Sequence, residues 1–277
     1  MEFTKMQGIG NDYIYINCFE EKVDHPSELS VRLSERHFGI GSDGIILIEP
    51  SDTADCRMDI YNADGSQAMM CGNGIRCVGK YVYDRGIVKK EVIHVDTMSG
   101  IKTLQLAVQD GRVTSVTVNM GKPSLRAKDI PATLKLDEII DEPIMVNDSE
   151  YRITCVSMGN PHCVLFVDNV DKIQPENIGS KLENNEIFPQ RANIEFVQVL
   201  NKNEINMRVW ERGSGETWAC GTGACAAAVA SAINKKTDRT VKIHLKGGDL
   251  DINWDEKADC VFMKGPAEFV FDGTIEI

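Results

Sequence analysis

Cys71-Gly72-Asn73-Gly74 and Cys220-Gly221-Thr222-Gly223 read almost alike, and positions 71 and 220 lie 149 residues apart in a chain of 277. Each segment follows a short strand-like run ending in a polar turn, and each opens a stretch with helical character. A cysteine just ahead of a glycine-rich helix start sits where backbone N–H groups and the helix dipole favour an anion. Its thiol is therefore expected to ionise more readily than a free cysteine. Two such thiols, one from each half, are expected to meet across a cleft.

The same offset recurs away from the cysteines. Gly10-Asn11 maps onto Gly159-Asn160, Gly44-Ile45 onto Asn193-Ile194, Met58 onto Met207, Tyr61 onto Trp210 and Asn62 onto Glu211. The runs Ile46-Leu47-Ile48 and Glu195-Phe196-Val197 both suit strands. Several matches at one constant offset mark a duplicated unit, of domain rather than solenoid size. Each unit repeats one order: a strand (13–17 or 163–167), a helix (27–37 or 175–184) begun by Pro26 or Pro175, two β-rich runs, then the cysteine and its helix.

The first cysteine helix has an apolar face at Ile75, Val78 and Val82 and is expected to end near Gly86. The second, 224–233, is apolar all round, which marks a buried helix wrapped by strands near 92–96, 113–119, 241–245 and 260–263. The units also end alike, at Val118-Asn119-Met120-Gly121-Lys122-Pro123 and Val261-Phe262-Met263-Lys264-Gly265-Pro266. The reading is an α/β chain of the α+β type with two pseudo-symmetric domains, 1–119 plus 265–277 and 120–264. Each is expected to be a mainly antiparallel β-sheet or barrel around a central helix, with the active site in the interdomain cleft.

A net charge of −12 argues against a nucleic-acid surface, which needs a basic patch. No apolar run reaches the length of a signal-peptide core or a membrane span, so a cytoplasmic protein without membrane attachment is expected. Nine cysteines, an odd number, speak against a disulfide framework. Neither a Cys-x-x-Cys nor a His-x-x-x-His pair occurs, so no metal site is expected. Gly39-Ile40-Gly41-Ser42-Asp43-Gly44 matches a dinucleotide fingerprint in letters only, because a helix precedes it and a strand follows.

The motifs that carry chemistry are Gly8-Ile9-Gly10-Asn11-Asp12, Asn62-Ala63-Asp64-Gly65-Ser66, Cys71-Gly72-Asn73-Gly74-Ile75-Arg76-Cys77, Met158-Gly159-Asn160-Pro161-His162-Cys163, and Glu211-Arg212-Gly213-Ser214-Gly215-Glu216-Thr217 with Ala219-Cys220-Gly221-Thr222-Gly223-Ala224. Together they resemble the diaminopimelate epimerases, and the likeness runs essentially end to end. The resemblance implies interconversion of LL- and meso-diaminopimelate on the route to lysine and peptidoglycan, without a cofactor, by a homodimer of two-domain chains. It also implies that His162 and Glu211 tune the two thiols, that Asn11 binds substrate, and that Cys71 takes the proton from the LL form.

The residues fit that chemistry on their own account. Inverting a Cα centre needs a base on one face and an acid on the other, and Cys71 and Cys220 supply one group each. Amides at Gly72-Asn73 and Gly221-Thr222 would hold the charge that grows on the substrate carboxylate, each such donor being worth about 3 kcal/mol. At the remote amino-acid head, Arg212 offers a fork for a carboxylate and Glu211 a partner for an ammonium. Asn62, Asn160 and Asn193 offer both donors and acceptors. Gly44 departs from the family, which often carries glutamine there.

Cys18, Cys56, Cys155, Cys163 and Cys260 read as small buried hydrophobes, as do Cys77 and Cys225 inside the helices. The competing functions are a two-thiol racemase of proline or a similar amino acid, a thiol peroxidase or redox sensor, and a non-catalytic binding protein. Arg212 and the asparagines favour a substrate with a second zwitterionic head.

Overall fold

The computed structural model describes residues 1–147 and 149–277. The chain divides into two compact units, Met1–Asn119 with Lys264–Ile277, and Met120–Met263.

The first unit runs β1 (Glu2–Gly8), β2 (Asn11–Asn17), α1 (Pro26–Ser34), β3 (Gly44–Glu49), β4 (Cys56–Asn62), β5 (Gln67–Ala68), α2 (Gly72–Asp84), β6 (Val92–Asp96), β7 (Lys102–Gln109) and β8 (Arg112–Gly121). The second runs β9 (Glu142–Val146), β10 (Ser149–Ser157), β11 (Pro161–Phe166), α3 (Pro175–Glu183), β12 (Asn193–Asn201), β13 (Glu204–Glu211), β14 (Gly215–Thr217), α4 (Gly221–Ile233), β15 (Thr240–Leu245), β16 (Gly248–Asp255) and β17 (Cys260–Gly265). The last strand, β18 (Glu268–Thr274), lies in the first unit.

Strand pairing repeats element for element. In the first unit β18 lies antiparallel to β1, and β1 antiparallel to β2. The second unit has β9 antiparallel to β10, and β10 antiparallel to β11. Among the described residues most pairs are antiparallel, but two in each unit are parallel: β2 with β3 and β4 with β6, then β11 with β12 and β13 with β15. Parallel neighbours need a crossover, and the four helices supply it, one for each pair.

Local sequence explains the elements. In β7 Leu104 and Leu106 are buried while Thr103 and Gln105 are exposed, the alternation of a strand with one wet face. Helix α1 buries Leu29 and Leu33 against a cluster that includes Ile14, Ile16, Ile45 and Leu47. It stops at Ser34, three residues short of the expected end. The N–H groups of Ile40 and Gly41 both turn back to the carbonyl of Leu33, and the Glu35 carboxylate accepts from the N–H groups of His37 and Phe38. Those bonds replace the next helical turn. Helix α4, with five of its alanines at 0–1 % exposure, packs on β10, β11, β12, β15 and β16. Cys56, Cys155 and Cys163 are buried as expected, but Cys18 and Cys260 are only half-buried. No helix among the described residues is long and apolar enough to cross a membrane.

Candidate active site

Both cysteines are the N-caps of their helices, and they hold nearly the same backbone shape. Cys71 has φ −130° and ψ 117°, Cys220 φ −124° and ψ 110°. Each sulfur takes the place of a serine or aspartate cap. Cys71 Sγ accepts from the N–H of Gly74 at 3.3 Å, and Cys220 Sγ from the N–H of Gly223 at 3.4 Å. The amides of Gly72 and Asn73, and of Gly221 and Thr222, belong to the first helical turn, which has no preceding intrahelical carbonyl.

Beyond the caps the two sites differ. Cys71 is half-buried, and its Sγ donates to Asn11 Oδ1 at 3.3 Å. Asn11 Nδ2 in turn donates to Asp43 Oδ2 at 2.8 Å, and the N–H of Asp12 donates to the same oxygen at 3.1 Å. Burial, helped by the neighbouring Asp12 charge, lifts the Asp43 carboxyl above its ordinary range against these hydrogen bonds. Asp12 pairs with Lys5 at 2.5 Å.

Cys220 is buried and stands among carboxylates. Burial first, then the negative charges of Glu211 and Glu195, push its thiol well above the ordinary value; hydrogen bonds from Thr222 and Gly223 oppose this without winning. The expected fall in thiol pKa is therefore overturned at Cys220, because loss of water and two anions outweigh one helix terminus. Glu211 accepts from the Thr217 hydroxyl, and burial lifts its carboxyl against hydrogen bonds from Thr217 and Cys220.

His162 has no exposed surface. Its Nδ1 lies 2.7 Å from Glu195 Oε1 and its Nε2 lies 3.0 Å from Asn160 Oδ1. Asn160 Nδ2 donates to Thr222 Oγ1 at 3.3 Å. Asn193 is committed to backbone, donating to the Pro161 carbonyl at 3.0 Å and accepting from the N–H of Arg212 at 3.0 Å. It thereby fixes the turn that carries Glu211 and the exposed Arg212, whose Nη1 donates to the Gln190 carbonyl at 3.1 Å. Asn62 donates to Ser66 Oγ at 3.0 Å. Asn73 is buried and its Oδ1 accepts from Arg76 at 2.8 Å, so its side-chain oxygen is engaged inside the unit.

Gly44 pairs with Asn62 across β3 and β4. At its φ of +154°, a Cβ would lie 2.1 Å from the Tyr61 carbonyl oxygen. Backbone approach therefore requires glycine there, and Asn193 has no side-chain counterpart in the first unit. Sequence reasoning missed Asp43, Thr217 and Glu195. Glu195 had a visible signal, a carboxylate inside an apolar strand opposite Ile46 at the common offset. Among the described residues no group of three or more His, Cys, Asp or Glu is placed to hold a metal ion.

Each unit thus carries one helix-capping thiol, and the two thiols differ in their surroundings. Among solved structures, a phenazine biosynthesis protein of the PhzF family from Bacillus anthracis superposes with a TM-score of 0.71 at 18 % identity, covering 100 % of this chain and 99 % of that one. The likeness is one of fold. A diaminopimelate epimerase from Acetivibrio thermocellus is 54 % identical over 277 residues, covering 100 % of this chain and 99 % of its own. Another from Agathobacter rectalis is 56 % identical over 285 residues, covering 100 % of both. The family model for diaminopimelate epimerase matches residues 3–126 and 154–270, and the chain belongs to that family.

Proposed function

We propose that the protein interconverts LL- and meso-diaminopimelate by moving one proton off and another onto a single α-carbon, with Cys71 and Cys220 as the two acid–base groups. The observation that carries this reading is the pair of matched sulfur caps in unequal surroundings. Two-base inversion needs one group that starts without its proton and one that starts with it. Burial and the Glu211 and Glu195 charges favour the protonated thiol at Cys220. In the LL direction Cys71 thiolate takes the α-proton, so that the C–H bond breaks and an S–H bond forms. The electron pair passes into the substrate carboxylate, and Cys220 S–H delivers its proton to the opposite face. The reverse reaction exchanges the roles.

The first-turn amides of α2 and α4 are the donors that would stabilise a carboxylate carrying extra charge. Glu211 and Arg212 supply the charges that a second amino-acid head requires. The working form is a cytoplasmic homodimer, and the route it serves leads to lysine and peptidoglycan.

Reduced protein incubated with LL-diaminopimelate in D₂O tests the reading. Deuterium at one α-carbon together with conversion to the meso form supports it. No exchange by fully reduced protein overturns the activity, and full turnover after Cys220→Ala overturns the thiol pair.

A further inference from the structure

We propose that Glu195, acting through His162 and Asn160, holds the Thr222 hydroxyl as a hydrogen-bond donor to the Cys220 sulfur, which makes Glu195 a positioning residue for the epimerisation. The proposal rests on the reading above for its catalytic meaning, but its structural core can be tested without substrate.

Glu195 lies in Ile194-Glu195-Phe196-Val197 of β12, and no part of it is exposed. A carboxyl at such a place is costly unless donors meet it; among the described residues its Oε1 has one partner and its Oε2 has none. That partner is His162 on the neighbouring parallel strand β11, at 2.7 Å. From there four contacts run without a gap to the thiol: Glu195 Oε1 to His162 Nδ1, His162 Nε2 to Asn160 Oδ1 at 3.0 Å, Asn160 Nδ2 to Thr222 Oγ1 at 3.3 Å, and Thr222 Oγ1 to Cys220 Sγ at 3.6 Å.

The order of donors along this chain follows from its end. Both imidazole nitrogens face oxygens, the Glu195 carboxyl at Nδ1 and the Asn160 carboxamide oxygen at Nε2. The carboxamide oxygen only accepts, so Nε2 carries a hydrogen, and Nδ1 and the Glu195 carboxyl share a proton between them. Asn160 then presents its NH₂ to Thr222. With its oxygen occupied by that donor, Thr222 directs its own proton to Cys220. A hydroxyl donor at sulfur favours the thiolate that Cys220 becomes each time it gives up its proton. Without the Glu195 carboxyl to share its proton, Nδ1 keeps the ring's hydrogen and Nε2 is left bare. The Asn160 amide turns over so that NH₂ faces Nε2, and Thr222 donates to Asn160 instead of to sulfur.

The first unit shows the slot without the chain. Ile46 occupies the position of Glu195, and Tyr13 that of His162. A Cβ on Gly74 would lie 2.6 Å from Ile46 Cδ1, and one on Gly223 would lie 2.8 Å from Glu195 Oε1. Both side chains thus press on the same turn of the cysteine helix, one as hydrocarbon and one as carboxylate. Cys71 instead reaches its asparagine, Asn11, directly. The titratable groups around Cys220 are Glu211 on β13, Glu195 on β12 and His162 on β11.

The test combines ¹⁵N NMR of histidine-labelled protein with kinetics of Glu195→Gln, Thr222→Val and the double variant. The wild type should show a hydrogen on His162 Nε2, and Glu195→Gln should show it moved to Nδ1. Glu195→Gln should lower kcat by about 10–100-fold with little change in KM, as for groups that orient a reacting side chain elsewhere, and should shift the pH profile. Thr222→Val should lower kcat similarly, and the double variant should be no worse than either, since all act along one chain. A wild-type His162 ring without a hydrogen on Nε2 overturns the proposal, whether or not any variant folds. So do additive losses, or an unchanged ring and pH profile in Glu195→Gln. Failure of the wild type to epimerise overturns the functional reading instead and leaves the NMR result standing.

Discussion

The surroundings of Cys71 and Cys220 start from one template and end in opposite places. Each sulfur caps its helix by accepting from the third amide, at 3.3 and 3.4 Å. Past that point Cys71 is half-buried and reaches Asp43 through a single asparagine. Cys220 is buried beside Glu211 and is joined to the Glu195–His162 pair by two intermediaries. The difference teaches that a helix start alone does not decide a thiol's protonation. At Cys220, lost hydration and two carboxylates act against about 1 kcal/mol from the dipole, and the dipole loses. Duplication supplied the symmetry, and divergence of Asn62 and Ile46 to Glu211 and Glu195 made one thiol unlike the other.

The sharpest way to break the comparison is to delete each sulfur in turn. Cys71→Ala and Cys220→Ala should each cost about 10³-fold or more in conversion, at the upper part of what one acid–base group contributes. They should differ in D₂O. With LL substrate, Cys220→Ala retains the group that removes the proton, so exchange without inversion should persist. Cys71→Ala should stop both. Equal behaviour of the two variants would show the thiols to be interchangeable.

Glu211→Gln comes next in size. Burial sets the high thiol pKa of Cys220 and the Glu211 anion adds to it. Removing the anion makes the thiolate easier to form, so the midpoint should move down. Alkylation of the Cys220 peptide by iodoacetamide against pH, followed by mass spectrometry in a Cys71→Ala background, reads that midpoint. Activity should fall as well, because the charge proposed to meet the ammonium of the second amino-acid head is lost. A midpoint that stays in place would mean that burial alone sets the thiol.

Much of this was legible in the sequence, and the reason is duplication. The offset between Cys71 and Cys220 aligned strands, helices and caps, because both halves must bury the same faces to form the same unit. Helix α1 was read too long, since the chain's return to the Leu33 carbonyl is a tertiary bond with no periodic signature. The sign of the Cys220 shift was misread for a related reason. Glu195 comes near Cys220 because α4 packs on β12, so its charge is remote in sequence and near in space. Asn193 offers the sequence signal of a substrate group, and here both ends of its amide bond the protein's own backbone.

The smallest effects, and the cleanest comparison, come from filling the two glycine slots. Gly74→Ala would place a methyl 2.6 Å from Ile46 Cδ1, the far end of a side chain that can rotate away. Gly223→Ala would place one 2.8 Å from Glu195 Oε1, which is held by His162, and 3.2 Å from Cys220 Sγ. Overpacking of this kind costs about 1–3 kcal/mol, offset by up to about 1 kcal/mol from the better helix propensity of alanine. The net loss should therefore be near zero at Gly74 and about 1–2 kcal/mol at Gly223, a fall in Tm of roughly 2–8 °C. Differential scanning calorimetry of both variants measures it. If Gly74→Ala proves the worse of the two, the carboxylate at Glu195 is the looser tenant of its slot, and the rigid pairing with His162 does not hold.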